Sequence, residues 1–161
     1  MHGRTFNLFL AFVCHELLVA AYYFQYVEGL NPCPLCIIQR VVVFALGVWF
    51  LLMAGVNAKP GGLPAKLLNG IGVLISATGI VAAGRQVWLQ SLPPADIPAC
   101  GPDLAFMLES FSAGEILTEL FKGSGDCAKV DWTFLGFSMG AWMLAVFSVF
   151  ALFFLLRAVR K

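Results

Sequence analysis

Residues 134–156 read FLGFSMGAWMLAVFSVFALFFLL, 23 positions without one charged side chain. A helix rises about 1.5 Å per residue, so roughly 20 apolar residues cross a hydrocarbon layer of about 30 Å. Working back along the chain, three more stretches have this character. Residues 67–89 carry only Arg85, residues 37–56 only Arg40, and residues 6–27 one carboxylate, Glu16, with no Lys or Arg. The pattern predicts an all-α protein: one integral membrane domain over residues 1–161, a four-transmembrane-helix bundle with spans at about 6–27, 37–56, 67–89 and 134–156. Composition agrees, with 60% hydrophobic and 12% charged residues, against about 25% charged in a soluble domain. A water-soluble bundle would need a polar face on each helix, and no segment shows one broad enough. The net charge of +1 leaves no basic footprint, so nucleic acid is not an expected partner.

The charges left between the spans set an orientation. Arg4, Lys59, Lys66, Arg157, Arg160 and Lys161 fall on one side with no Asp or Glu among them. Short basic segments stay in the cytoplasm. Both termini and the 57–66 connection are therefore expected inside. The 28–36 and 90–133 segments, with Glu28, Asp96, Asp103, Glu109, Glu115, Glu119, Asp126 and Asp131 against Lys122 and Lys129, are expected outside. Leu18-Val19-Ala20 loosely resembles a leader cleavage site, but the apolar stretch outruns a leader core and contains Glu16, so an uncleaved first span is expected.

In the long outer loop, Pro93, Pro94, Pro98 and Pro102 hold the start extended. Leu104, Met107, Leu108 and Phe111, then Leu117, Leu120 and Phe121, recur at helical spacing. A short amphipathic helix or two is expected, lying on the membrane surface or packed on the ends of the bundle. Gly123-Ser124-Gly125 ends it before Cys127.

Four of the five cysteines, Cys33, Cys36, Cys100 and Cys127, fall outside, where disulfides form. Cys14 reads as a small buried residue of the first span. The expected pairs are Cys33–Cys36 and Cys100–Cys127. Two residues between Cys33 and Cys36 close too small a loop to constrain much, but they suit reversible exchange, because the second thiol can attack a mixed disulfide on the first. Cys100–Cys127, between Pro- and Gly-rich flanks, reads as a loosely held, exposed disulfide suited to a protein partner. The alternative for that pair is a structural staple. A zinc site usually needs two close pairs, and only one is close here.

Pro34 suits the first position of a helix, so Cys36 lies in the first turn of the second span, where the helix N-terminus favours a thiolate. Arg40 is four residues on, on the same face, just inside the bilayer. The alternative for Arg40 is snorkelling to the headgroups. A thiolate at the membrane boundary needs an electron acceptor. Neither a dinucleotide fingerprint nor a Cys-x-x-Cys-His haem motif is present. A lipid-soluble quinone fits.

The segments Asn31-Pro32-Cys33-Pro34-Leu35-Cys36-Ile37-Ile38-Gln39-Arg40 and Ser124-Gly125-Asp126-Cys127, with Trp132-Thr133-Phe134-Leu135-Gly136 after them, resemble the DsbB disulfide-bond-forming proteins of bacterial inner membranes. The resemblance covers nearly the whole chain. It implies a long periplasmic loop and a quinone, ubiquinone or menaquinone, as cofactor. It implies a DsbA-type periplasmic thiol oxidase as partner, beside membrane lipid. Cys33 and Cys36 would form the quinone-facing pair, with Cys36 contacting the quinone and Arg40 assisting. Cys100 would take the mixed disulfide with the partner and Cys127 would exchange with it. Some members carry a His near the outer end of the third helix; the nearest positions here are Gln90 and Ser91, with Gln86 and Trp88 as further candidates. Glu16 with His15 is a rare polar pair in the first span, suited to tying helices together or to proton transfer. Two other readings stand beside this one. A reductase of the vitamin K epoxide type would carry its Cys-x-x-Cys near the last helix rather than at the second. A membrane scaffold stapled by disulfides has no use for a Cys-x-x-Cys and Arg at the bilayer boundary.

Overall fold

The computed structural model describes residues 3–58, 61–99 and 109–159, the side chains of Ala113, Leu117 and Leu120 excepted. Lys59, Arg160, Lys161, Cys100, Pro102, Asp103, Leu104, Met107 and Leu108, on which parts of the sequence reading rest, lie outside the described residues. The chain is a four-helix membrane bundle: α1 Gly3–Tyr26, α2 Pro34–Val56, α3 Leu63–Gln90, a short α4 Ala113–Lys122, and α5 Met139–Val159. The four long helices run 24, 23, 28 and 21 residues, enough at about 1.5 Å each to cross about 30 Å of hydrocarbon. Phe9, Phe12, Val41, Phe44, Leu74, Val81, Val149 and Leu152 stand exposed around the bundle. Such a belt is unfavourable in water and suits lipid.

Local chemistry ends each helix. Cys33 is the extended N-cap of α2 and Pro34 begins it, its missing N–H costing nothing there. Asn57 closes α2 in the left-handed region at φ 44°, its N–H on Met53 O at 3.1 Å. α3 and α5 pack closest. A Cβ on Gly72 would stand 2.6 Å from the Phe154 ring, and one on Gly79 2.6 Å from Phe147. Small residues let two backbones approach in this way, replacing the hydrophobic drive that lipid cannot supply. Phe50 of α2 stacks on Phe154 with ring centroids 5.0 Å apart, joining the third helix to the pair.

The last span differs from expectation. Residues 133–138 form an antiparallel hairpin, β1 Thr133–Phe134 on β2 Phe137–Ser138, with Thr133 opposite Ser138. Leu135 and Gly136 both take positive φ, 52° and 82°, the geometry of the tight turn that matches strand twist. α5 therefore begins at Met139 rather than Phe134. Ser138 Oγ accepts from Ala141 N at 3.3 Å, supplying the cap. In the long loop, α4 starts on a capping box in which Ser112 and Glu115 bond each other reciprocally. Phe121 packs against the bundle core, and Arg85 Nε donates to Lys122 O at 3.2 Å. The helix thus rests on the end of the bundle, the second of the two placements its sequence allowed.

Candidate functional site

At the end of the bundle where α2 begins, three cysteines meet. The extended backbone of Cys33 followed by a helical turn folds its thiol back over Cys36. The Cys33 thiol donates to Cys36 Sγ at 3.1 Å. Cys33 is buried and Cys36 half-buried. From α3, Gln86 Nε2 donates to Cys36 Sγ at 3.3 Å and reaches Cys33 Sγ at 3.8 Å. Gln86 is itself held: Gln39 Nε2 donates to its Oε1 at 2.7 Å, and Gly140 of α5 leaves no room for a Cβ, which would fall 3.0 Å from the amide. An N–H aimed at sulfur bonds an anion about twice as strongly as a neutral thiol. The row Gln39–Gln86–Cys36 is thus a fixed donor line ending on the second cysteine.

Cys127 lies in a single 3₁₀ turn, Gly125–Ala128, and is fully buried, 0% exposed. This corrects the expectation of an exposed cysteine on a loose segment. The turn is tied down, Cys127 N to Ser124 O at 2.9 Å and Gly125 N to Ala99 O at 3.2 Å. Just before the turn, Gly123 passes so close to α2 and α3 that a Cβ would stand 2.8 Å from Leu89 and 3.0 Å from Leu35. Cys127 faces Cys33. Hydrogen bonding from Cys33 lowers the Cys127 thiol from 9.0 to about 6, aided by the main chain of Leu35 against the opposing effect of burial. The same contact, with Cys36 and burial, pushes Cys33 up. Cys33 is therefore the protonated member, its single S–H shared between Cys36 and a thiolate-prone Cys127. Cys100, expected opposite Cys127, lies outside the described residues, while its neighbour Ala99 is bonded to the Cys127 turn.

Beside the pair lies a cleft of about 340 Å³, walled by Leu17, Leu18, Ala21 and Phe24 of α1 and by Met139, Trp142 and Met143 of α5. Cys33, Cys36, Gln39, Arg40 and Gln86 supply its polar end. The hairpin roofs it: Trp132 stacks on Phe134, Phe24 meets Trp132 at 5.1 Å, and Trp142 Nε1 donates to Phe134 O at 3.1 Å. Arg40 lines the cleft and is anchored on α1 through two of its guanidinium N–H groups, leaving others free of that helix. It donates to Gln25 Oε1 and, at 3.0 Å, to Ala21 O, with its guanidinium 5.3 Å from the Tyr22 ring centre. It thereby ties α1 to α2 rather than reaching the surface.

Of the positions offered in place of a third-helix His, Gln86 faces the sulfurs and Gln90 lines the cleft, accepting from Ser138 Oγ at 2.7 Å. Ser91 turns onto its own helix, bonding Trp88 O at 2.7 Å. Trp88 is half-exposed under Arg85, 4.2 Å from ring centre to guanidinium. His15 and Glu16 are exposed on α1 and do not line the cleft. Gln39 was not singled out from sequence; a lone amide in an apolar span was its only signal.

Comparison with known proteins shows what the chain is similar to. The family model for "Disulfide bond formation protein DsbB" matches residues 3–157. The chain is 48% identical over 136 residues to a Disulfide bond formation protein B of Nitrosococcus oceani, covering 84% of this chain and 79% of that one. It is 46% identical over 155 residues to that of Methylococcus capsulatus, covering 96% and 93%. To that of Hahella chejuensis it is 42% identical over 159 residues, covering 99% and 95%. Four membrane-spanning helices, a Cys-x-x-Cys at the mouth of a cleft and this likeness over the whole chain together place the protein in the DsbB family of disulfide bond formation proteins.

Proposed function

We propose that the protein is a quinone-dependent thiol oxidase of a bacterial inner membrane. It re-forms the disulfide of a DsbA-type periplasmic dithiol protein and passes the electrons to a membrane quinone. The observation that carries this reading is the order of sulfurs, Cys127 beside Cys33 and Cys33 beside Cys36, ending at an apolar cleft whose polar groups gather at Cys36. In the sequence of steps, a partner thiolate attacks the Cys100–Cys127 disulfide at Cys100 and frees Cys127. Cys127 attacks Cys33 and Cys36 leaves as a thiolate, the sulfur to which Gln86 donates. The partner's second thiol displaces Cys100, which returns to Cys127 and releases Cys33. The sum is one partner dithiol oxidised to a disulfide and one Cys33–Cys36 disulfide reduced. Quinone supplies the acceptor for these two electrons and two protons, leaving as quinol while Cys33–Cys36 re-forms. The cleft fits such a molecule: apolar walls for its ring and tail, with Gln86 and Arg40 as donors for ring oxygens.

On this reading the cysteines face the periplasm and both termini the cytoplasm. The test is quinone reduction by the purified protein, given a reduced DsbA-type partner and a soluble quinone, followed by quinone absorbance. Catalytic loss that disappears in Cys36→Ser and in Cys100→Ser is expected. Turnover retained in Cys36→Ser, or no turnover by the parent, overturns the proposal.

A further inference from the structure

α1 carries two ionisable side chains at its midpoint, His15 and Glu16, and both point away from the bundle, 68% and 52% exposed. At bilayer depth such groups almost always face a protein interior, a water-filled cavity or each other. Here the cleft lies behind α1, on the side of Leu17, Leu18 and Ala21. The bond they make is to one another, His15 Nδ1 to Glu16 Oε1 at 3.0 Å. Among the described residues that leaves His15 Nε2 and Glu16 Oε2 facing lipid. Along the same face Leu8, Phe12, His15, Val19 and Tyr22, all exposed, alternate by four and three positions. This is the spacing of a seam between two helices that cross at a shallow angle.

We propose that this face of α1 is the interface between two copies of the chain, related by a two-fold axis along the membrane normal. The argument for a second copy is complementarity. The face offers an imidazole and a carboxyl at one depth, and a two-fold axis sets each opposite the other's counterpart. His15 Nε2 of one copy then meets Glu16 Oε2 of the other, and the four groups close a ring of hydrogen bonds. The ring closes with the proton on either member. Imidazolium can donate from both nitrogens to two carboxylates, or a protonated carboxyl can donate to Nε2 while Nδ1–H donates within the chain. Either way the ring carries no net charge into the lipid.

The test is subunit counting by single-molecule photobleaching of the full-length protein in lipid vesicles, at low protein density. Two subunits per particle are expected for the parent and for Glu16→Gln, which keeps a donor and an acceptor. One is expected for the double variant His15→Leu with Glu16→Leu. A parent that counts as one subunit overturns the proposal and points to a helix of a different membrane protein on this face. A double variant that still counts two also overturns it. Should that variant fail to fold, a photoreactive phenylalanine analogue decides, placed at Phe12 on this face or at Phe44 on α2. Cross-linked pairs from position 12 and none from position 44 support the interface; the reverse, or none from either, overturns it.

Discussion

At the scale of single residues, the chemistry rests on which sulfur holds a proton. In the reduced protein, thiolate absorbance attributable to Cys127, read as the difference from Cys127→Ser, should rise with a midpoint near 6 rather than the ordinary 9.0. Cys33→Ala should move that midpoint up, because the bond from Cys33 is the largest cause of the shift. The sign for stability follows from linkage: a lowered thiol value contributes to the reduced fold fully above pH 9, and the contribution is lost as pH falls toward 6. Thermal unfolding of the reduced parent against Cys127→Ser across that window checks it. Gln86→Leu should slow quinone reduction about tenfold or more while sparing thiol exchange, since a hydrogen bond to a charged group contributes about 1.5–3 kcal/mol. Equal losses in both half-reactions would make Gln86 a packing residue. The meeting of Cys33, Cys36 and Arg40 at one cleft was legible in the sequence, because thiols and an intramembrane cation announce chemistry by type. The Gln39–Gln86 bond was not, since it joins amides 47 positions apart whose meeting depends on how α2 and α3 rotate.

Among the elements, the long helices were legible because charge-free length is itself the physical requirement for crossing lipid. Their ends were less so. Phe134, Leu135 and Phe137 are as apolar as the span they precede, and counting hydrophobicity cannot see a turn that two positive φ angles create. Gly136→Ala should cost about 1 kcal/mol by opposing that turn, and hydrogen exchange at residues 133–138 should quicken. The close pass of α3 over α5 was likewise unreadable from a glycine count. Gly70 has nothing within 4 Å of its would-be Cβ, while Gly79 meets Phe147. Gly79→Ala should therefore destabilise the bundle by about 1–3 kcal/mol, and Gly70→Ala should leave it unchanged. Equilibrium unfolding in mixed micelles separates the two.

For the whole molecule, the sequence divides charge between two ends and the structure gathers Cys33, Cys36 and Cys127 at one of them. Arg157, which donates to Asn7 Oδ1 at 2.8 Å, and Asn57 mark the end opposite the cysteines. A membrane-impermeant thiol reagent should label a cysteine introduced at Ser112 in intact cells, and one at Ala58 only after lysis; the reverse would invert the topology. That Cys36 and Cys127 share one end of the bundle was legible, because the two spans between them return the chain to the end it left. The burial of Cys127 there was not, because it depends on how the Gly125–Ala128 turn seats on the bundle, with Gly123 pressed on Leu89 and Leu35 and Gly125 bonded to Ala99. That burial has a consequence for fidelity. Cys33 and Cys127, at 8% and 0% exposure, present little sulfur to a small dissolved thiol such as a tripeptide reductant. On the proposed function, that burial makes the sulfur path an insulated wire, its middle length sheathed against stray reductant.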